Sequence, residues 1–140
     1  MFLGEYKHSL DAKGRLSIPA DMRNECGNIV YITKGNEGCI TLDTEQGWSE
    51  YCDYLKSLDL TKSDHRQFAR TVFSRVKQCE FDKSGRINIS PKLRDEAHLT
   101  KDCTIVGLFD HIEIWDSGRW EEYDNAGVNN FDEITEKLKD

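Results

Sequence analysis

Two arginines, each four residues after an aspartate, have the type and placement to act on an anion. Asp11 and Arg15 stand four apart in DAKGRLSIP, and Asp82 and Arg86 stand four apart in DKSGRINIS, at an offset of 71 residues. Arginine's planar fork matches phosphate oxygens and the guanine edge. Lys7 lies near the first phrase, Lys13 lies inside it, and Lys83 lies inside the second. The same run also has an architectural use. Gly14 and Gly85 suit a turn that requires positive φ, and Asp11 and Asp82 can accept hydrogen bonds from turn amides. The two carboxylates could pair with Arg15 and Arg86, or with Arg23 and Arg94. We expect Asp11, Gly14, Asp82 and Gly85 to shape the loops. Arg15 and Arg86, with the lysines, would present positive charge. A display repeated in one chain fits a repetitive polyanion, and duplex DNA is one.

Other chemistries lack their residues. One glycine per phrase does not make a Gly-x-x-x-x-Gly-Lys-Ser/Thr phosphate loop. His8, His65, His98 and His111 are scattered, with no His-Glu-x-x-His pattern, and no serine has an evident base. Cys26, Cys39, Cys52, Cys79 and Cys103 contain no close pair of the kind that holds zinc. The expectation is no enzyme, no cofactor and no metal, with most cysteines buried as small apolar residues. The odd cysteine count and the lack of a leader-like start predict a reducing, cytoplasmic setting. No apolar run is long enough to span a membrane.

The elements that position the phrases follow from pattern. FLGEYKHSLD and NIVYITK read as strands, as do RLSIP and CITLD, with NEG a tight turn between NIVYITK and CITLD. Pro19 opens a short helix that Gly27 can close. Glu45 to Leu58 turns helical, with Trp48, Tyr51, Cys52 and Leu55 on one stripe. Asp64 to Phe73 is helical again, with Phe68, Val72 and Phe73 expected inward. The order then returns: SRVKQCEFD and RINIS as strands, a helix capped by Ser90 with Pro91 at its first position, and CTIVGLF and HIEIW around a turn at Asp110. SGRWEEY begins a helix. FDEITEKLKD forms a terminal one, with Phe131, Ile134 and Leu138 on one side.

The return is a duplication. Asp11, Gly14, Arg15, Leu16, Ile18 and Arg23 match Asp82, Gly85, Arg86, Ile87, Ile89 and Arg94 at an offset of 71. The offset then becomes 72, so Ile40 and Leu42 match Ile112 and Ile114, and WSEY (with Trp48) matches WEEY (with Trp120). We divide the chain into a first repeat at 1–61, a linker helix at 62–74, a second repeat at 75–123 and an acidic, partly helical tail at 124–140. One repeat is too small to bury both faces of a sheet, so the two must share a core. Trp48 and Trp120 are expected to anchor helices on that sheet, and Arg23 and Arg94 to serve structure. Charge is segregated within a net −7. Residues 1–61 carry 6 basic and 10 acidic side chains, 62–94 carry 9 and 3, and 95–140 carry 4 and 13. A basic middle can concentrate positive potential on one face.

These residues resemble the MraZ family of bacterial transcriptional regulators over nearly the whole chain. The resemblance rests on FLGEYKHSLDAKGRLSIPADMR, FDKSGRINISPKLRDEA and one Asp-x-x-x-Arg motif per half. It implies a mainly β, α+β fold with short helices, made of tandem swapped-hairpin, double-split-barrel-like units. It also implies a DNA-binding regulator of the division and cell-wall gene cluster, associated with the nucleoid and often a repressor. Such a protein would form closed homo-oligomeric rings on short direct repeats of double-stranded promoter DNA. Arg15 and Arg86 are then the main contact residues, supported by Lys13. Lys83 is a weaker equivalent, because Ser84 takes the place of Lys13 in the second copy. The competing expectation is an oligomeric scaffold or antitoxin-like module that binds protein.

Overall fold

Each copy of the phrase folds into a turn followed by a three-residue strand, in a computed structural model that describes residues 1–139. Asp140, the last residue of the expected tail, lies outside the described residues. Strands β2 (Arg15–Ser17) and β6 (Arg86–Asn88) pair antiparallel as a ribbon of their own. The other six strands form one antiparallel sheet in the order β1-β7-β8-β4-β3-β5. They are β1 (Glu5–Ser9), β3 (Ile29–Lys34), β4 (Ile40–Thr44), β5 (Lys77–Glu80), β7 (Asp102–Leu108) and β8 (His111–Asp116).

This order exchanges strands between the halves. β1 pairs with β7 of the second half, and β5 pairs with β3 of the first. At the centre β4 meets β8, with Ile40 opposite Ile114 and Leu42 opposite Ile112. Equivalent residues therefore cross over, as a local two-fold axis requires. The ribbon obeys the same axis, with Leu16 opposite Ile87. Leu16, Ile18, Ile87 and Ile89 are at most 1% exposed and share one apolar cluster with Val30, Ile32, Leu42, Ile105, Ile112 and Ile114. The duplication thus builds one core that neither half could enclose alone.

Helices α1 (Ala20–Cys26) and α4 (Pro91–Glu96) follow the two ribbon strands, and the Ser90 hydroxyl accepts from the Leu93 amide to cap α4. The others are α2 (Glu45–Lys56), α3 (Ser63–Arg75), α5 (Ser117–Asn129) and α6 (Phe131–Lys137). Asn36–Gly38 is a single 3-10 turn. Helices hold more residues than strands, which corrects the expected mainly β class to a mixed α/β fold with antiparallel sheets. The ribbon strands need only three residues each, while α5 runs on past Tyr123. Cys26, Cys39, Cys79 and Cys103 are buried and Cys52 partly so, all as free thiols. No helix of the described residues is long and apolar enough to cross a membrane.

Helix α3 departs from expectation at two positions. It buries Ala69 and Val72, while Phe68 and Phe73 stay 40% and 45% exposed. Adjacent helical residues point about 100° apart, so a helix seated through Ala69 and Val72 leaves 68 and 73 on its flanks. The end of α3 is fastened to α4 by Arg75, whose Nε and Nη2 each donate to Glu96 at 2.6 Å. The hydrogen bonds from Arg75 hold the Glu96 carboxyl below its usual range. Its contribution is therefore present above the unfolded pKa near 4.5 and lost as pH falls through the lower folded value. Glu96→Gln is expected to cost more stability at pH 7 than at pH 3, as read from urea unfolding. Equal costs at both pH values would rule this out.

Candidate nucleic-acid interface

One carboxylate organises each loop, and does so the same way twice. Asp11 Oδ1 accepts from the amides of Lys13 at 2.9 Å and Arg15 at 2.8 Å, and Oδ2 accepts from Arg15 Nε at 2.7 Å. Asp82 Oδ1 accepts from the amides of Ser84 and Arg86, both at 2.9 Å, and Oδ2 from Arg86 Nε at 2.9 Å. The Arg15 amide is the largest cause that keeps the Asp11 carboxyl below its usual range, and the Arg86 amide does the same for Asp82. Gly14 and Gly85 sit at φ 80° and 76°, where an L side chain is strained.

The ribbon sets the two loops side by side. The Ile18 amide donates to the Gly85 carbonyl at 3.1 Å, and the Ile89 amide to the Gly14 carbonyl at 2.9 Å. Arg86 Nη1 also lies 3.5 Å from Asp11 Oδ2, so Asp11 touches both arginines. Arg15 and Arg86 are 33% and 29% exposed. Each guanidinium is aimed by its Nε bond, and the Arg15 Nη groups make no hydrogen bond among the described residues. The two guanidiniums are thus held near one another by the two loop carboxylates.

Arg23 and Arg94 do not pair with the aspartates. Each crosses to the other half and packs over its turn glycine. A Cβ on Gly14 would lie 2.7 Å from Arg94 Cζ, and one on Gly85 would run into the Arg23 guanidinium. Arg23 Nη1 donates to the Ile18 carbonyl, whereas Arg94 Nε is buried without a hydrogen-bond partner among the described residues. Lys13 and Lys83 are exposed on the loops. Lys7 is not brought to them: it faces Glu121 of α5, 3.5 Å away. Tyr6 and His8 of the same strand instead line a shallow groove with Arg23 and Ser84. Strand alternation around Lys7 was the available signal for these two missed neighbours.

The tryptophans pack inward. Trp48 of α2 stacks on Tyr31 of β3 with ring centroids 5.6 Å apart, and Trp120 of α5 meets Trp115 of β8 edge-on at 5.2 Å. Among the described residues, no group of three or more His, Cys, Asp or Glu side chains could hold a metal ion.

The family model "MraZ protein, putative antitoxin-like" matches twice, at residues 1–71 and 72–140. The "Transcriptional regulator MraZ" of Lactobacillus delbrueckii subsp. bulgaricus is 48% identical over 140 residues, covering 100% of this chain and 98% of the relative. The proteins of that name from Ligilactobacillus salivarius and Moorella thermoacetica are 44% and 43% identical, with the same coverage.

Proposed function

This chain belongs to the MraZ family, and from that premise we propose that it regulates transcription by gripping duplex promoter DNA with its paired Asp-x-x-x-Arg loops. The observation that carries the reading is the pair of guanidiniums of Arg15 and Arg86, each aimed by an aspartate and set side by side by the ribbon. A family of regulators is not a family of enzymes, and the aspartates are committed to the loops rather than free for catalysis. On this reading the repeats 1–61 and 75–123, joined by 62–74, are swapped-hairpin units whose exchanged strands make one DNA-binding body. The target is a set of short direct repeats upstream of a division and cell-wall gene cluster, and the usual outcome is repression. The setting is the cytoplasm and its nucleoid.

Assembly into a closed ring answers the acidic total. A ring can gather the loops on one surface, and contacts to adjacent repeats then reinforce one another through effective concentration. The second reading is a protein-binding scaffold or antitoxin-like module. It draws on the exposed Phe131, Ile134 and Leu138 of the C-terminal segment, 67%, 44% and 78% accessible. Fluorescence anisotropy decides between them. Duplex DNA from upstream of the gene should bind far more tightly than a shuffled duplex of equal length. Equal, weak binding to both favours the scaffold.

The loops are not equal, because Lys13 faces Ser84 in the repeat alignment. Lys13→Ala is expected to weaken DNA binding by roughly three- to tenfold, and Lys83→Ala by less, since each lost phosphate contact removes one released counterion. Equal losses in the same titration would show that the asymmetry has no consequence.

A further inference from the structure

The two halves differ most in how they fill the space between the last strand and the helix that follows it. Thr44 caps α2 through the Gly47 amide, and Asp116 caps α5 through the Arg119 amide. At the offset of 72, Asp43 is thus the equivalent of Trp115, and Gly47 of Arg119. In the second half the Trp115 indole is 4% exposed and packs against Trp120 and Tyr123, filling this layer. In the first half Asp43 and Gly47 fill almost none of it. A cavity of about 830 Å³ remains, bounded by β4, α2, α3 and the β7–β8 turn. That volume lies in the range of small-molecule sites.

The lining identifies the chemistry. The Asp43 side chain borders the cavity, is 9% exposed, and makes no hydrogen bond or ion pair among the described residues. The carboxylate opens onto the cavity, and a carboxylate so far withdrawn from water is stabilised by an added counter-charge. The imidazole of His111 lies near enough for its positive charge to favour the Asp43 carboxylate, but its close contacts go to Asp110 at 2.8 Å and Glu113 at 3.6 Å, not to Asp43. Asp43, Glu50, Asp64, Asp110 and Glu113 face the space against only Lys34 and His111, so it is negative even with the imidazole protonated. Tyr51, Phe68, Val72 and Leu108 give apolar wall, which accounts for the position of Phe68 on the flank of α3. The acids do not converge as a metal requires.

We propose that this cavity binds a small organic cation, an ammonium or guanidinium on an apolar stem, with Asp43 as its counter-ion. Burial, the largest cause, pushes the Asp43 carboxyl up to about 6, which leaves it mostly ionised at neutral pH. The site is separate from the Asp-x-x-x-Arg loops, none of whose residues line it.

The test is isothermal titration of the whole chain with phenethylamine and agmatine, and with 2-phenylethanol as the neutral counterpart. Saturable binding of at least one cation is expected, with 2-phenylethanol at least about tenfold weaker than phenethylamine. Asp43→Asn should weaken the cation by about tenfold or more, a step of about 1.4 kcal/mol. Asp43→Trp, which copies the other half, should abolish it while preserving the melting temperature. No saturable binding of either cation, equal binding of the neutral probe, or unchanged binding in Asp43→Asn would each overturn the proposal. The comparison of charged and neutral probes uses the wild type, so it does not depend on any variant folding.

Discussion

Replacing Arg15 and Arg86 together by alanine is expected to weaken binding to the upstream DNA by about 100-fold or more, with oligomeric state and melting temperature nearly unchanged. A well-placed arginine contact is worth about 1–3 kcal/mol, so two lost from each protomer exceed a hundredfold at the middle of that range. The fold should tolerate the change. Both side chains are about one-third exposed, so their ion pairs with Asp11 and Asp82 add little stability. The carboxylates keep their backbone donors after the substitution, and those donors shape the turn. Anisotropy gives the affinity and sedimentation velocity the oligomeric state. If affinity survives while assembly also survives, the arginines are turn fasteners and the contact surface lies elsewhere.

The second large effect is on stability, at a glycine. Gly85→Ala is expected to destabilise the protein by about 2–3 kcal/mol, lowering the melting temperature by on the order of 5–10 °C. Part of this is the strain of an L residue at φ 76°, about 1–2 kcal/mol. The rest comes from the new Cβ displacing the Arg23 guanidinium, which donates to the Ile18 carbonyl at the edge of the ribbon. Arg23→Ala provides the control. Gly27 cannot, because its built Cβ has nothing within 4 Å but its φ 74° and ψ −161° are open essentially to glycine alone. In the Arg23→Ala background, Gly85→Ala should carry only the backbone strain. An unchanged loss in that background would mean that the bracing of one half's turn by the other half's arginine contributes nothing.

The contrast between those glycines shows where sequence reading stops. The turn at Gly85 was legible from Asp-x-x-Gly-Arg, and the cap at Ser90 from Ser-Pro. Local hydrogen bonding decides both. The repeat was legible from an offset kept over many positions, and it required a shared core. What could not be read was the partner of each strand. The pairing of β1 with β7, and of Leu16 with Ile87, joins residues far apart in sequence, and period-2 alternation does not encode it. The partners of Arg23 and Arg94 were hidden for the same reason: they pack over glycines in the opposite half. Lys7 looked like part of the basic display because it is near in sequence, but β1 carries it to Glu121. Asp43 gives no signal in the repeat alignment, where the tryptophans and isoleucines mark only what the halves share. Its importance lies in a mismatch, a carboxylate where the second half has an indole.

On the proposed function, the paired loops meet DNA phosphates and bases through Arg15 and Arg86. The most direct test is the salt dependence of binding to the upstream duplex, measured side by side for the wild type and the double-alanine variant. Log affinity should fall steeply and linearly with log salt for the wild type, and the slope should be distinctly shallower once the arginines are gone. Two parallel lines, or no binding by the wild type even at low salt, would contradict it.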